Sequence, residues 1–170
     1  MYHPGGAVRD TRAEVVMGAR EWLEHVRECA SVIESLHREL SALEDARRDC
    51  LPWQCKGSTL YASMGGTHSD PTASEAQARI DGLDEQIGRV RIRYDECVAV
   101  VGECLRMLDA TRRELGERYA VVLELYYVDC ADTWSEVSWE MGRHRDTVRA
   151  WRDDAVAWMD ANSARYGMIW

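Results

Sequence analysis

The chain has 170 residues, of which 46% are apolar and 30% charged, and its formal net charge at pH 7 is −9. The composition predicts one globular domain, or a small domain with an extended part. The negative charge argues against a protein that coats nucleic acid without sequence preference, because phosphate binding needs a basic surface. Segments 1–50, 73–117 and 118–170 are each −3 (7 basic against 10 acidic side chains in the first two, 6 against 9 in the third), so any DNA contact must come from local placement of basic residues.

The sequence also carries signals about where the protein works. No apolar run approaches the ~18 residues that a membrane-spanning helix requires. The first ten residues lack the basic-then-apolar order of a secretory signal, so the six cysteines are expected to be reduced thiols. These observations predict a soluble, cytoplasmic protein that does not associate with membranes.

Apolar residues in the first fifty positions recur at alternating steps of four and three. They are Val15, Ala19, Trp22, Val26, Cys29, Ile33, Leu36, Leu40 and Leu43. A sustained period of 3.5 residues keeps one apolar seam facing a partner helix, as in coiled coils. We therefore predict a long helix over about 10–50. It should end at Leu51, because the residue before Pro52 is pushed out of the helical region.

The same spacing returns in the second part of the chain. Its members are Ala76, Ile80, Leu83, Ile87, Val90, Tyr94, Cys97, Val101, Cys104, Leu108, Thr111 and Leu115. They predict a helix over about 72–115, which begins with a capping box formed by Thr72 and Glu75. Two helices of similar length and phase predict a long antiparallel, coiled-coil-like hairpin, with pairing between chains as the alternative. The Gly- and Ser-rich residues 51–72 would connect them as a mobile tip or a binding loop.

From Arg118 the apolar period changes, and three short helices are predicted over 118–129, 134–141 and 144–162. The second should be capped by Thr133. Ser138, a small residue in this helix, lies where the two helices of a helix-turn-helix cross. Four residues later Gly142 can adopt a left-handed turn, and six residues beyond that Val148 can close a small core. We therefore divide the all-α chain into a helical hairpin (1–117) and a three-helix, helix-turn-helix domain (118–170).

Nine residues are predicted to contact DNA: Thr133, Ser135, Arg143, His144, Arg145, Asp146, Thr147, Arg149 and Arg152. The second helix of the motif enters the major groove by its N-terminal end. Arg145 and Arg149 share one helix face, so both can reach guanine O6 and N7. His144 and Asp146 belong to the same N-terminal end. Arg143, Thr147 and Arg152 suit phosphates through guanidinium and hydroxyl groups, and Thr133 and Ser135 suit phosphates through hydroxyls and free helix amides. The alternative is a solvated helix face whose arginines pair with neighbouring aspartates.

The sequence of residues 118–160 resembles the fourth region of sigma-70-type factors. In that region an apolar helix with a run like VLELYY precedes a helix of the form W-x-E-(I/V)-(A/S), here WSEVS, and a G-x-(S/T)-x-x-T-V turn, here GRHRDTV. The whole layout resembles phage late-gene transcriptional regulators of the RinA and ArpU type. The resemblance implies a regulator of phage or prophage type that binds specific double-stranded DNA. Its hairpin would form a homodimer or contact RNA polymerase.

Two residues depart from this pattern. His144 stands where a Ser or Thr helix cap is usual, which predicts a less well capped recognition helix. Trp139 follows the crossing residue, where a small or polar residue is usual, and is expected either to contact a partner or to pack on the hairpin.

Two other functions fit the same sequence. A small, terminase-like DNA-packaging subunit also joins a helix-turn-helix to coiled-coil segments, and it would assemble into rings. An adaptor could bind RNA polymerase without contacting DNA. An enzyme is not expected, because no catalytic, metal or cofactor motif occurs. Cys50 and Cys55, with His68 nearby, do not have the spacing of a structural zinc site.

Overall fold

The computed structural model describes residues 17–50 and 71–167, and every regular element within these ranges is helical. The helices are α1 (Ala19–Cys50), α2 (Pro71–Glu114), α3 (Glu117–Leu123), α4 (Trp134–Glu140) and α5 (Arg145–Asn162). A π-helical turn, Glu124–Val128, continues α3, and a 3-10 turn, Ser163–Tyr166, follows α5. The prediction of an all-helical chain is confirmed. In the described ranges no helix is long and apolar enough to cross a membrane.

Several predicted features lie outside the described residues. They include the seam residue Val15, the connection 51–70 with Cys55 and His68, and the side chain of Thr72 in its predicted capping box. Helix α1 begins at Ala19 in the described chain, later than the predicted start near residue 10. The reason is visible at this end, where the carboxylate of Asp160 in α5 accepts a hydrogen bond from the Ala19 amide at 2.7 Å. A side chain from a distant helix thus serves as the N-terminal cap of α1.

Helices α1 and α2 pack against each other in opposite directions. Near the end of α1, Arg47 pairs with Asp84 and Glu44 pairs with Arg91. Farther back along α1, Cys29 lies against Cys97. As the residue number falls in α1 it rises in α2, so the two helices are antiparallel. The exposed ion pairs fix the register of the two helices. They contribute little to the free energy of unfolding, because exposed pairs are screened by solvent.

The predicted seam faces the partner helix, but its burial changes along the pair. In the half near the start of α1, Ala19, Val26 and Cys104 are fully enclosed. In the other half, Leu40 and Leu43 of α1 are only half-buried, as are their counterparts on α2. We call the first half the proximal end and the second the distal arm (33–50 with 74–94). Among the described residues the distal arm packs only through the α1–α2 interface, and the outer side of each helix is exposed there.

The proximal end contains the main core. Helices α3 and α5 pack on α1 and α2 there, and Leu123 and Met159 join Leu23 and Met107 in one continuous cluster. Leu23 and Met107 lie beside the predicted seam, on a second apolar face that the heptad pattern did not identify. This cluster extends across the predicted domain boundary at 117/118, so the C-terminal helices and the proximal end of the α1–α2 pair share one core.

The junction between α2 and α3 is tight and charged. Gly116, with a φ of 113°, occupies a backbone conformation that glycine adopts without steric cost. Arg112 on α2 pairs with Glu117 and Glu124 on the other side of the turn, each at 2.9 Å. The turn therefore directs α3 back over the proximal end.

Candidate nucleic-acid interface

Helix α4 begins where the sequence predicted and with the predicted cap. The Thr133 hydroxyl accepts a hydrogen bond from the Glu136 amide at 3.2 Å. The Glu136 carboxylate in turn accepts from the Asp132 amide at 2.8 Å, one residue earlier than in the standard capping box. Both interactions satisfy main-chain donors that have no partner inside the helix.

The connection between α4 and α5 is a left-handed turn at Gly142. Its φ is 58°, and the amide of Arg143 donates to the Ser138 carbonyl at 3.1 Å across the turn. This is the Schellman arrangement, in which a left-handed residue ends the helix. Ser138 itself is 8% exposed, and its hydroxyl donates to the Trp134 carbonyl at 2.7 Å. Gly142 thus adopts the predicted left-handed conformation, and Ser138 is a small, buried residue four positions earlier.

The start of α5 is capped by the side chain of His144, which stands where Ser or Thr is usual. The Nδ1 atom of His144 accepts a hydrogen bond from the Asp146 amide at 3.3 Å, and the Asp146 carboxylate lies 3.5 Å from the same nitrogen. The start of α5 therefore has a side-chain cap, with a slightly longer bond than the 3.2 Å bond of Thr133 at the start of α4. An imidazole nitrogen is an acceptor like a hydroxyl oxygen and satisfies the same orphan amide.

A small apolar cluster holds α3, α4 and α5 together. Val122, Val137 and Val148 are completely buried, one from each helix, and the half-buried rings of Trp134 and Trp151 pack around them. Val148 closes this core as predicted from its spacing after Gly142. The side of α5 that flanks this cluster is exposed to solvent over its first two turns.

On that face, Arg143, Arg145 and Arg149 are exposed, and in the described part of the chain none forms an ion pair or a side-chain hydrogen bond. Most other described arginines are paired with carboxylates, as Arg47 is with Asp84. The alternative interpretation required the arginines at the start of α5 to pair with neighbouring aspartates. Asp146 instead faces His144. The result is a group of three arginines without ion pairs, beside the carboxylate of Asp146, on an acidic protein.

Arg152, the last of the predicted contacts, lies in a different environment. Its side chain is only 17% exposed and pairs with Asp153 at 2.7 Å. The guanidinium also lies over the Trp134 ring, 4.9 Å from its centroid. The structure therefore separates Arg152 from the exposed arginines and uses it in packing.

The remaining predicted contacts are all exposed. Ser135 and Thr147 present hydroxyls at the first turns of α4 and α5. The Thr133 hydroxyl already accepts the helix-capping bond, and the carboxylate of Glu136 stands beside it. The start of α4 is thus less favourable for a phosphate than the start of α5, where arginines predominate.

Trp139 is 82% exposed, so it does not pack on the helical pair. It lies on the outer side of α4 between two acidic side chains, Glu136 and Glu140, which are also exposed. This acidic surround repels phosphate. Of the two expectations for Trp139, only contact with a partner remains.

Sequence reasoning missed one residue that contacts this region from outside it. Arg27 of α1 donates to the main-chain carbonyls of Tyr126 and Ala131, the latter at 2.9 Å. No local pattern identifies this contact, because its partners lie 99 and 104 residues farther along the chain. The sequence shows only that Arg27 follows the seam residue Val26, which gives the approximate side of α1 on which it lies.

Comparison of the chain with family models, with curated proteins and with solved structures found no match. The function of the chain is therefore inferred from its residues and their geometry. In the described ranges no cluster of His, Cys, Asp or Glu could hold a metal ion.

Proposed function

We propose that the protein is a sequence-specific, double-stranded-DNA-binding regulator of phage or prophage type. In this proposal α4 and α5 form a helix-turn-helix, with α5 in the major groove, and α1 and α2 form a hairpin for dimerisation or contact with RNA polymerase. The observation that carries the proposal is the group of exposed, unpaired Arg143, Arg145 and Arg149 directly after the left-handed turn at Gly142.

The geometry supports different DNA contacts for these three arginines. Arg145 and Arg149 are separated by one helical turn, so their guanidinium groups emerge from the same face and can each address a base. Arg143 precedes the helix and suits a phosphate of the backbone. The rest of the chain is acidic and would be repelled by DNA. That repulsion confines binding to this end of the molecule and favours specific over indiscriminate association.

The first experiment is a binding selection of the full chain against sheared bacterial and phage DNA at two salt concentrations. Enrichment of one short region that persists at the higher salt supports specific recognition. Weak binding to all sequences that disappears with salt contradicts it, because only the electrostatic component would then be present.

The selected site then tests the two arginines. Arg145→Ala and Arg149→Ala should each weaken binding by about 1–3 kcal/mol and relax the base preference at one position. Arg79→Ala is the matched control, because Arg79 is an exposed arginine of the distal arm without an ion pair in the described chain. It should leave affinity and preference nearly unchanged. Equal losses on all DNA sequences would contradict a base-reading role.

A second candidate, an adaptor that binds RNA polymerase without touching DNA, is favoured by the exposed Trp139 in its acidic surround. The two candidates predict opposite results for two variants. The adaptor loses polymerase binding with Trp139→Ala and keeps it when Arg145 and Arg149 are both replaced. The DNA-binding regulator loses its DNA site with the arginine variants and keeps it with Trp139→Ala.

A further inference from the structure

Four side chains form a continuous stack that begins on α1 and ends on α5. The guanidinium of Arg27 lies 4.1 Å from the ring centroid of Tyr126. Tyr126 stacks on Trp134, with centroids 3.9 Å apart and planes inclined by 20°. Arg152 covers the other end, 4.9 Å from the Trp134 centroid. A cation lies on each outer side of two stacked rings, an arrangement that ring quadrupoles stabilise.

Arg27 makes two further contacts that the stack alone would not require. Its Nη2 atom donates to the carbonyl of Ala131 at 2.9 Å, and its Nη1 atom donates to the carbonyl of Tyr126. Both carbonyls belong to the end of the π-helical turn and the connection that leads into α4. Carbonyls at a helix end have no partner inside the helix. The planar fork of an arginine satisfies two of them at once, which a lysine ammonium cannot do with the same geometry.

Other residues of α1 hold α5 in a similar way. Arg20 pairs with Asp153 at 3.1 Å, and Asp153 in turn pairs with Arg152. The amide of Ala19 donates to Asp160 near the end of α5. Helix α1 thus contacts α5 directly, and Arg27 contacts the connection that precedes α4.

We propose that Arg27 is a positioning residue, which fixes the connection before α4 and so sets the direction of α4 and α5 relative to the helical pair. This inference rests on the proposed function, since the orientation matters if α5 reads DNA while the helical pair binds a second copy or polymerase. A binding element works best when its supporting shell holds it in the productive geometry. Arg27 supplies that support from α1, which is far from α5 in the sequence.

The inference is tested first without DNA, by hydrogen exchange of the full chain. Arg27→Met keeps an apolar stem of similar length and removes every donor, while Arg38→Met is the matched control on α1. Arg38 is exposed, and its one ion pair among the described residues is with Glu34, one turn away. We expect Arg27→Met to speed exchange of the amides in 134–140 by about tenfold. Exchange in 36–43 should not change, and Arg27→Lys should give an intermediate rate. Unchanged exchange in 134–140 would overturn the inference.

The second measurement uses the DNA site selected with the wild-type chain, at a temperature where circular dichroism shows every variant folded. Arg27→Met should weaken binding to that site by about tenfold and leave non-specific binding unchanged. Arg38→Met should match the wild type. A lower melting temperature with unchanged affinity of the folded protein would assign Arg27 a stabilising role only and overturn the positioning role. If the wild-type chain selects no DNA site, the proposed function fails, while the exchange rates still decide whether Arg27 holds α4.

Discussion

At the proximal end of the α1–α2 pair, Leu23 and Leu108 are buried in a core shared with α3 and α5, whereas Leu40 and Leu43 in the distal arm are only half-buried. Both ends follow the same spacing of apolar residues. The difference shows that a seam between two helices alone leaves most of its residues half-exposed, although Leu36 is buried, because a third layer is needed to close the whole core. Local stability should therefore fall from the proximal end to the distal arm.

The largest expected effect comes from leucine truncation at the two ends. Leu123→Ala removes a completely buried side chain of the proximal core and should lower the free energy of unfolding by about 2–5 kcal/mol. Leu43→Ala removes a half-buried side chain of the distal arm and should cost about 1 kcal/mol. Urea denaturation of both variants measures the difference. Equal losses would contradict the proposed gradient in stability.

Next in size is a substitution at the crossing of α4 and α5. Ser138→Leu forces a larger side chain into a nearly closed space and removes the hydrogen bond to Trp134, which should cost about 1–3 kcal/mol. Ser135→Leu is the control on the same helix, because Ser135 is exposed. Thermal melting should fall for the first variant and stay nearly constant for the second. The same melting temperature in both would argue against close packing of the two helices.

A smaller effect is expected at alkaline pH, and it too belongs to the proximal end. Burial raises the pKa of the Cys104 thiol from its ordinary 9.0 to about 12, and burial raises the pKa of the Tyr127 hydroxyl from 10.0 to about 12. A group whose pKa is higher in the folded state stabilises the fold fully below its unfolded pKa. That stabilisation is lost as the pH rises through the folded pKa. The fold should therefore weaken progressively between pH 9 and 12.

Urea denaturation at several pH values between about 8 and about 10.5 checks this expectation. The control is a double variant, Cys104→Ala with Tyr127→Phe, which removes both titrating groups. Its stability should depend less on pH over the same range than that of the wild type. An equally steep dependence in the double variant would show that other groups are responsible.

The smallest effect concerns the turn before α4. Cys130 has a φ of 58°, a left-handed conformation that costs a side-chain-bearing residue energy and that glycine adopts freely. Cys130→Gly should raise the free energy of unfolding by about 0.5 kcal/mol after the added flexibility of the unfolded chain is subtracted. Cys130→Ala keeps the Cβ and serves as the control, with no gain expected. A loss of stability in the glycine variant would mean that the thiol contact with Arg27 outweighs the backbone strain.

The elements and their ends were largely accessible to sequence reasoning. Thr133 caps α4, Gly142 forms the left-handed turn, and α1 reaches Cys50 just before Leu51–Pro52. Each of these features depends on interactions between residues within about one helical turn, and such interactions are written in the local sequence. The cap of α5 is local as well, since the His144 imidazole accepts from an amide two residues later.

The candidate site was accessible only in part. The sequence grouped Arg143, Arg145, Arg149 and Arg152 together because they are neighbours along one segment. The structure exposes the first three and packs Arg152 against Trp134. Which arginine is free depends on the ring that lies beside it, and the sequence pattern does not give that.

The sequence by itself determined that the described chain is helical, where its helices begin and end near the C-terminus, and which face of α1 and α2 forms their seam. The tertiary structure decided that Leu23 and Met107 form a second apolar face, that Asp160 caps α1, and that Arg27 reaches the connection before α4. The physical reason is the distance along the sequence over which each kind of interaction acts. Helix formation and capping depend on neighbours in the chain, whereas these contacts join residues more than eighty positions apart, and they exist only once the helices have packed.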